Sequence, residues 1–116
     1  MQVPSLELAL IELHYPGLPP MVAGLVVFDH TTGRSQWRFR RDWTLVGDEV
    51  DRLVLEGLDQ LVGAMEAEQG PKECLQRIEE QWSNTLRLST RLAFDSSGAD
   101  LAGCADALAA ILLGRA

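Results

Sequence analysis

A chain of 116 residues with 47% hydrophobic and 23% charged side chains has the composition of one folded domain, too apolar for a disordered segment. Seventeen acidic side chains against ten basic ones give a net charge of −7, the wrong sign for a protein that grips nucleic acid through its phosphates. Two cysteines, Cys74 and Cys104, are too few and too far apart for a disulfide scaffold, and they read as two small free-thiol hydrophobes.

Residues 1–116 are therefore expected to form a single domain. The N-terminal stretch Met1–Tyr15 lacks a basic start and is interrupted by Glu7 and Glu12, which argues against a signal peptide. The apolar tail from Leu101 to Leu113 falls short of the ~20 residues a membrane span requires. The expected compartment is the cytoplasm, with no membrane partner.

The first element, Leu6–Leu13, alternates as a strand, with Leu6, Leu8 and Leu10 on one face and Ala9, Ile11 and Leu13 on the other. Apolar side chains on both faces predict a central or doubly covered strand. The run Pro16-Gly17-Leu18-Pro19-Pro20 breaks it. A second strand spans Val22 to Phe28, with Gly24 marking a possible bulge. In the hairpin loop Asp29-His30-Thr31-Thr32-Gly33, Asp29 is placed to accept backbone amides and Gly33 to take the left-handed conformation. A third strand follows, with Ser35, Trp37 and Phe39 on its apolar face and Gln36, Arg38 and Arg40 on its polar face.

From Asp48 the period becomes helical. Val50, Leu53, Val54, Leu58, Leu61, Val62 and Met65 recur at helix spacing behind an Asp48 N-cap, and Gly57 and Gly63 hint at close packing. Gly70-Pro71 punctuates the chain and opens a second helix that buries Cys74, Leu75, Ile78 and Trp82 before ending at Ser83-Asn84. A fourth strand is expected to place Leu86, Leu88, Thr90, Leu92 and Phe94 on one face and Arg87, Ser89 and Arg91 on the other. After the turn Asp95-Ser96-Ser97-Gly98, a last helix from about Asp100 to Leu113 buries Leu101, Cys104, Ala105, Leu108 and Leu112. The predicted class is α+β: a mostly antiparallel four-stranded sheet with three helices packed on one face, in the order β-β-β-α-α-β-α.

No catalytic constellation stands out. His14, His30, Cys74 and Cys104 are mutually distant, unlike the short ligand spacings of structural zinc sites. Asp29-His30 and Glu12-x-His14 pair an acid with an imidazole, but no Gly-x-Ser-x-Gly elbow accompanies them. Phosphate-cradling glycine motifs are absent. No catalytic residue, metal or cofactor is assigned, and an enzyme is disfavoured. Glu79-Glu80 and Glu66-x-Glu68 read as solvated helix faces.

The feature above this background is the stretch Arg34 to Trp43. Arg38, Arg40 and Arg41 lie together there, and a nearby fourth strand would add Arg87 and Arg91. Guanidinium forks on an otherwise acidic chain suit a carboxylate, a phosphate or an acidic protein partner. The alternative is that they pair with local acids such as Glu7, Glu12 and Asp42.

Gly24-Leu25-Val26-Val27-Phe28-Asp29, Thr32-Gly33, Arg38-Phe39-Arg40-Arg41-Asp42-Trp43 and Ser83-Asn84-Thr85-Leu86-Arg87-Leu88-Ser89 together resemble a bacterial family of small uncharacterised proteins, a domain of unknown function. The match runs over Leu10–Trp43 and Ser83–Ser89; Pro16–Pro20 departs from the longer polar connection of that pattern. The resemblance implies no activity. The functional expectation is a non-enzymatic interaction or structural module forming a homodimer, because the two-sided first strand exposes more apolar surface than one helical layer covers. The alternative is a small enzyme or ligand-binding protein that uses the arginine-rich face for an anionic metabolite.

Overall fold

The first strand organises everything else. In the computed structural model, which describes residues 6–81, 86–89, 91–94 and 100–113, β1 (Leu6–Leu13) pairs antiparallel with β2 (Met21–Asp29) on one side. Its other side receives β4 (Leu86–Leu88) and β5 (Leu92–Phe94), also antiparallel. β3 (Arg34–Phe39) pairs with β2 and forms the far edge, so the order is β3-β2-β1-β4 with β5 along the same margin as β4.

The turns follow the expected chemistry. Gly17 and Gly33 have φ of 84° and 73°, and Asp29 accepts the Thr31 amide at 2.9 Å while its carbonyl receives the Gly33 amide at 2.8 Å. Ala23 is an extra residue opposite β1, since Ile11 faces Gly24 and Glu12 faces Val22. At Gly24 a Cβ would lie 2.7 Å from Phe39 Cδ1 and 3.0 Å from the Arg38 carbonyl. The bulge read from Gly24 is present, and the glycine admits the Phe39 ring.

Two layers of helix enclose the sheet, rather than one. On one face Ile11, Leu13, Ala23 and Phe39 pack with Leu55 of α1 (Glu49–Glu56), Leu58 and Val62 of α2 (Leu58–Gln69), and Cys74 and Ile78 of α3 (Pro71–Gln81). On the other face Leu6, Leu8, Leu25 and Val27 pack against Ala105 and Ala109 of α4 (Leu101–Leu112). The architecture is α+β as expected, but the described residues form five strands and four helices, and among them α4 alone covers the second face. β1 is apolar on both sides because both sides are covered within the chain.

The single long helix predicted after Asp48 is divided at Gly57, whose backbone (φ −93°, ψ 4°) leaves the helical region. The ladder nonetheless continues across it: the Gly57 amide reaches the Leu53 and Val54 carbonyls at 3.2 Å, and its carbonyl accepts the Leu61 amide at 3.0 Å. The close packing expected at Gly63 is not found, since nothing lies within 4 Å of a Cβ placed there. Asp48 and Asp100 cap α1 and α4 by accepting the Asp51 and Gly103 amides at 3.0 and 2.9 Å.

The predicted fourth strand is interrupted with a change of face. Leu88 faces Ile11 whereas Leu92 faces Leu8, so three steps on β1 oppose four on the outer strand. A slip of one residue exchanges the two sides of a strand. Leu86 and Leu88 therefore join the α1–α3 core while Phe94 joins the α4 core, and Leu92 is 60% exposed. Ser89 fills the irregularity: its Oγ accepts the Leu10 amide at 2.9 Å and its amide donates to the Leu10 carbonyl at 2.8 Å. Trp82, the Ser83-Asn84 helix end with Thr85, Thr90, the Asp95–Gly98 turn and the side chain of Glu79 lie outside the described residues.

Candidate functional site

The arginines do not form one basic face. Arg38 is half-buried and committed: its Nε donates to Asp106 Oδ1 of α4 at 2.7 Å, and its Nη1 donates to Gln36 Oε1 at 3.0 Å and to the Trp37 carbonyl at 2.8 Å. The Nε of Arg40 donates to the Val22 carbonyl at 3.0 Å. Arg41 is exposed. Arg87 sits on β4, three strand spacings (about 14 Å) from β3. Arg91 approaches Glu7 Oε2 at 3.8 Å, and Glu7 also lies 3.3 Å from His30 Nε2. Because of the register slip, Arg87 and Arg91 do not share a side of the sheet. The structure thus brings Arg38, Arg40 and Arg41 together and leaves Arg87 and Arg91 at the opposite margin.

Those three arginines line a cavity of about 420 Å³ with Trp37, Phe39 and Leu55, but Glu56 and Asp59 line it too. Asp42 turns back on its own chain, accepting the Thr44 amide at 3.0 Å and the Thr44 hydroxyl at 2.8 Å. The Thr44 amide, helped by that hydroxyl, lowers the Asp42 carboxyl below its ordinary value. Glu12 Oε1 stands 3.5 Å from His14 Nε2. Among the described residues, no group of three His, Cys, Asp or Glu side chains is arranged to hold a metal ion, and no helix is long and apolar enough to cross a membrane.

Cys74 is fully buried and Cys104 half-buried, both as free thiols on helices at opposite faces of the sheet. The intervening strands keep the two sulfurs from bonding. Glu66 departs from its expected solvated role: its Oε2 accepts the Ser35 hydroxyl at 2.7 Å and the indole N–H of Trp37. Trp37 in turn lies parallel to Phe39, with centroids 6.2 Å apart.

Among the described residues, the surface with the largest run of exposed aliphatic side chains lies on α1. Val50, Leu53 and Val54 are 69%, 62% and 57% exposed, and Leu61 one turn into α2 is also exposed. Spacings of three, four and eleven residues put all four on one exposed side of the kinked helix, adjoining the side that buries Leu55, Leu58 and Val62. The periodicity in the sequence assigned Val50, Leu53, Val54 and Leu61 to the core together with Leu58 and Val62; of these six only Leu58 and Val62 are buried, and Leu55, buried beside them, was not among the residues it assigned. Leu45, in the preceding loop, is exposed as well.

Beside this stripe is a cavity of about 660 Å³, lined among the described residues by Leu13, Tyr15, Pro16, Asp51, Val54, Leu55 and Leu86. Tyr15 donates its hydroxyl to Asp51 Oδ2 at 2.8 Å and so ties α1 to the end of β1. That hydrogen bond, followed by desolvation and the charges of Asp51 and Asp48, raises the phenol above its ordinary value. The stripe is flanked by exposed Glu49 and Glu56 beside Leu53 and by exposed Asp51 beside Val54, while Glu56 and Asp59 also line the cavity of Arg38, Arg40 and Arg41.

No family model, no curated protein and no solved structure matches the chain.

Proposed function

We propose that the chain is a non-catalytic protein-interaction module whose docking surface is the outward stripe Val50, Leu53, Val54 and Leu61. The observation that carries this reading is the exposure of three large aliphatic side chains on one side of an eight-residue helix whose adjoining side, through Leu55, already supplies the core. Exposed aliphatic residues scattered singly need no explanation, but a contiguous helical stripe beside a cavity has the composition of a recognition surface. The two-sided first strand no longer argues for a homodimer, because α4 covers its second face. An anion site on Arg38, Arg40 and Arg41 has weaker support, since two of these guanidinium groups are engaged and two carboxylates line the same cavity.

The reading requires the stripe to be dispensable for folding. Replacing Leu53 and Val54 together by serine is expected to change unfolding free energy by less than about 0.5 kcal/mol per site, the usual range for surface positions. Leu55→Ala, on the buried side, is expected to cost about 2–5 kcal/mol. A comparable loss from the serine pair would mean that the stripe is core, and the reading would fall.

A further inference from the structure

Resting on that reading, we infer that the α1 surface selects an amphipathic helical segment whose apolar anchors are flanked by lysine or arginine. The argument is charge complementarity joined to shape. Glu49 and Glu56 stand four and three residues from Leu53, and Asp51 three from Val54, so three exposed carboxylates flank the aliphatic stripe on its helix; Glu56, with Asp59, also lines the arginine cavity. A second copy of this chain would bring the same acidic border, and a whole net charge of −7, against itself. Like charges across an interface oppose association, whereas opposite charges steer it. An anionic bilayer is disfavoured for the same reason.

Shape narrows the partner further. Val54 belongs both to the stripe and to the rim of the neighbouring cavity, whose floor holds the buried Leu13 and Leu55. A helix laid along the stripe can drop one aliphatic or aromatic side chain into that cavity and hold a cationic one near Asp51. Anchors spaced three, four and seven residues apart on one helix match such a groove. A buried anchor surrounded by a charged rim is the usual distribution of binding energy in interfaces.

The test uses the full chain and two labelled helical peptides of about 18 residues, long enough to hold a helix. Both carry the same leucine stripe; one has lysine flanks and the other glutamate flanks. Fluorescence anisotropy is expected to show the lysine peptide binding at least about tenfold more tightly, with the gap shrinking as added salt shortens the screening length. Glu49→Lys with Glu56→Lys is expected to invert the preference, and Leu53→Glu to abolish binding of either peptide. Equal binding of both peptides, or no inversion, overturns the charge-selected partner and leaves the docking surface standing. If neither binds and light scattering reports a dimer broken by Leu53→Glu, the occupant is a second copy, and the inference fails while the interaction reading survives. If neither binds and the chain stays monomeric, both fail.

Discussion

Glu66, on α2, accepts the indole N–H of Trp37 on the edge strand β3, and the same oxygen accepts the hydroxyl of Ser35. One half-buried carboxylate thus clasps the helical layer to a sheet margin that, among the described residues, has no further strand beside it. Removing it leaves two donors without their acceptor. Glu66→Ala is expected to cost about 1–3 kcal/mol in urea unfolding, and Glu66→Gln, which keeps an acceptor oxygen, less. Equal losses from the two variants would show that the clasp contributes nothing as an acceptor.

At Gly24 the constraint is steric. Gly24→Ala puts a methyl group 2.7 Å from Phe39 Cδ1, and the β2–β3 pair must part or the ring must turn. A loss of about 1–3 kcal/mol is expected, typical of overpacking. Combining it with Phe39→Ala should cost less than the sum of the two single changes, because the second change removes the obstacle. Strict additivity would place the effect elsewhere.

Tyr15 is the chain's one tyrosine, so phenolate absorbance in the near ultraviolet reads it alone. Its pKa is raised above the ordinary 10.0, principally by its hydrogen bond to Asp51. Folding then favours the protonated phenol: the contribution to stability is complete below 10.0 and is lost as pH rises through the folded value. Asp51→Asn is expected to bring the midpoint down toward the ordinary value. An unchanged midpoint would mean that the tether between β1 and α1 does not form in solution.

The two thiols should differ in reactivity. Burial, with a smaller contribution from the Glu66 charge, pushes Cys74 up to about 11 from an ordinary 9.0. A thiol so placed is protonated and enclosed at pH 8, and thiolate is the nucleophile. Alkylation of the folded chain is expected to modify Cys104 first and to reach Cys74 only as denaturant opens the core, as peptide mass mapping would show. Stability should also fall as pH climbs from 9.0 toward 11, where the unfolded thiol ionises and the folded one does not. Modification of Cys74 ahead of Cys104 in native buffer would contradict the packing of α3.

Local chemistry made much of this fold legible. Leu6–Leu13 could be bounded because a two-residue period ends at Pro16, and the Asp29–Gly33 turn was set by a carboxylate and a glycine acting within five residues. Asp48 announced its cap for the same reason. What escaped depended on distance. A helical period states that α4 has an apolar side but not which face of the sheet it covers, so its union with Leu25 and Val27 could not be read. The slip near Ser89 inverted the assignment of Leu92 and Arg91, because strict alternation gives no sign of an inserted residue. Trp43 and Val46, buried in the loop before α1, carried no period at all.

The candidate surface was hidden by a similar ambiguity. Val50, Leu53 and Val54 share the helical period with Leu55, Leu58 and Val62, and hydrophobicity alone cannot say which stripe meets the sheet. The one cue in the sequence was width. A segment with apolar residues on two sides needs two partners, and the sheet supplies only one.

The most direct measurement is amide chemical-shift mapping of the isotope-labelled chain titrated with the lysine-flanked helical peptide. The account predicts perturbations concentrated on Val50, Leu53, Val54 and Leu61, spreading to Tyr15 and Leu86 around the adjoining cavity. Shifts centred instead on Arg38, Arg40 and Arg41, with α1 unmoved, would contradict it.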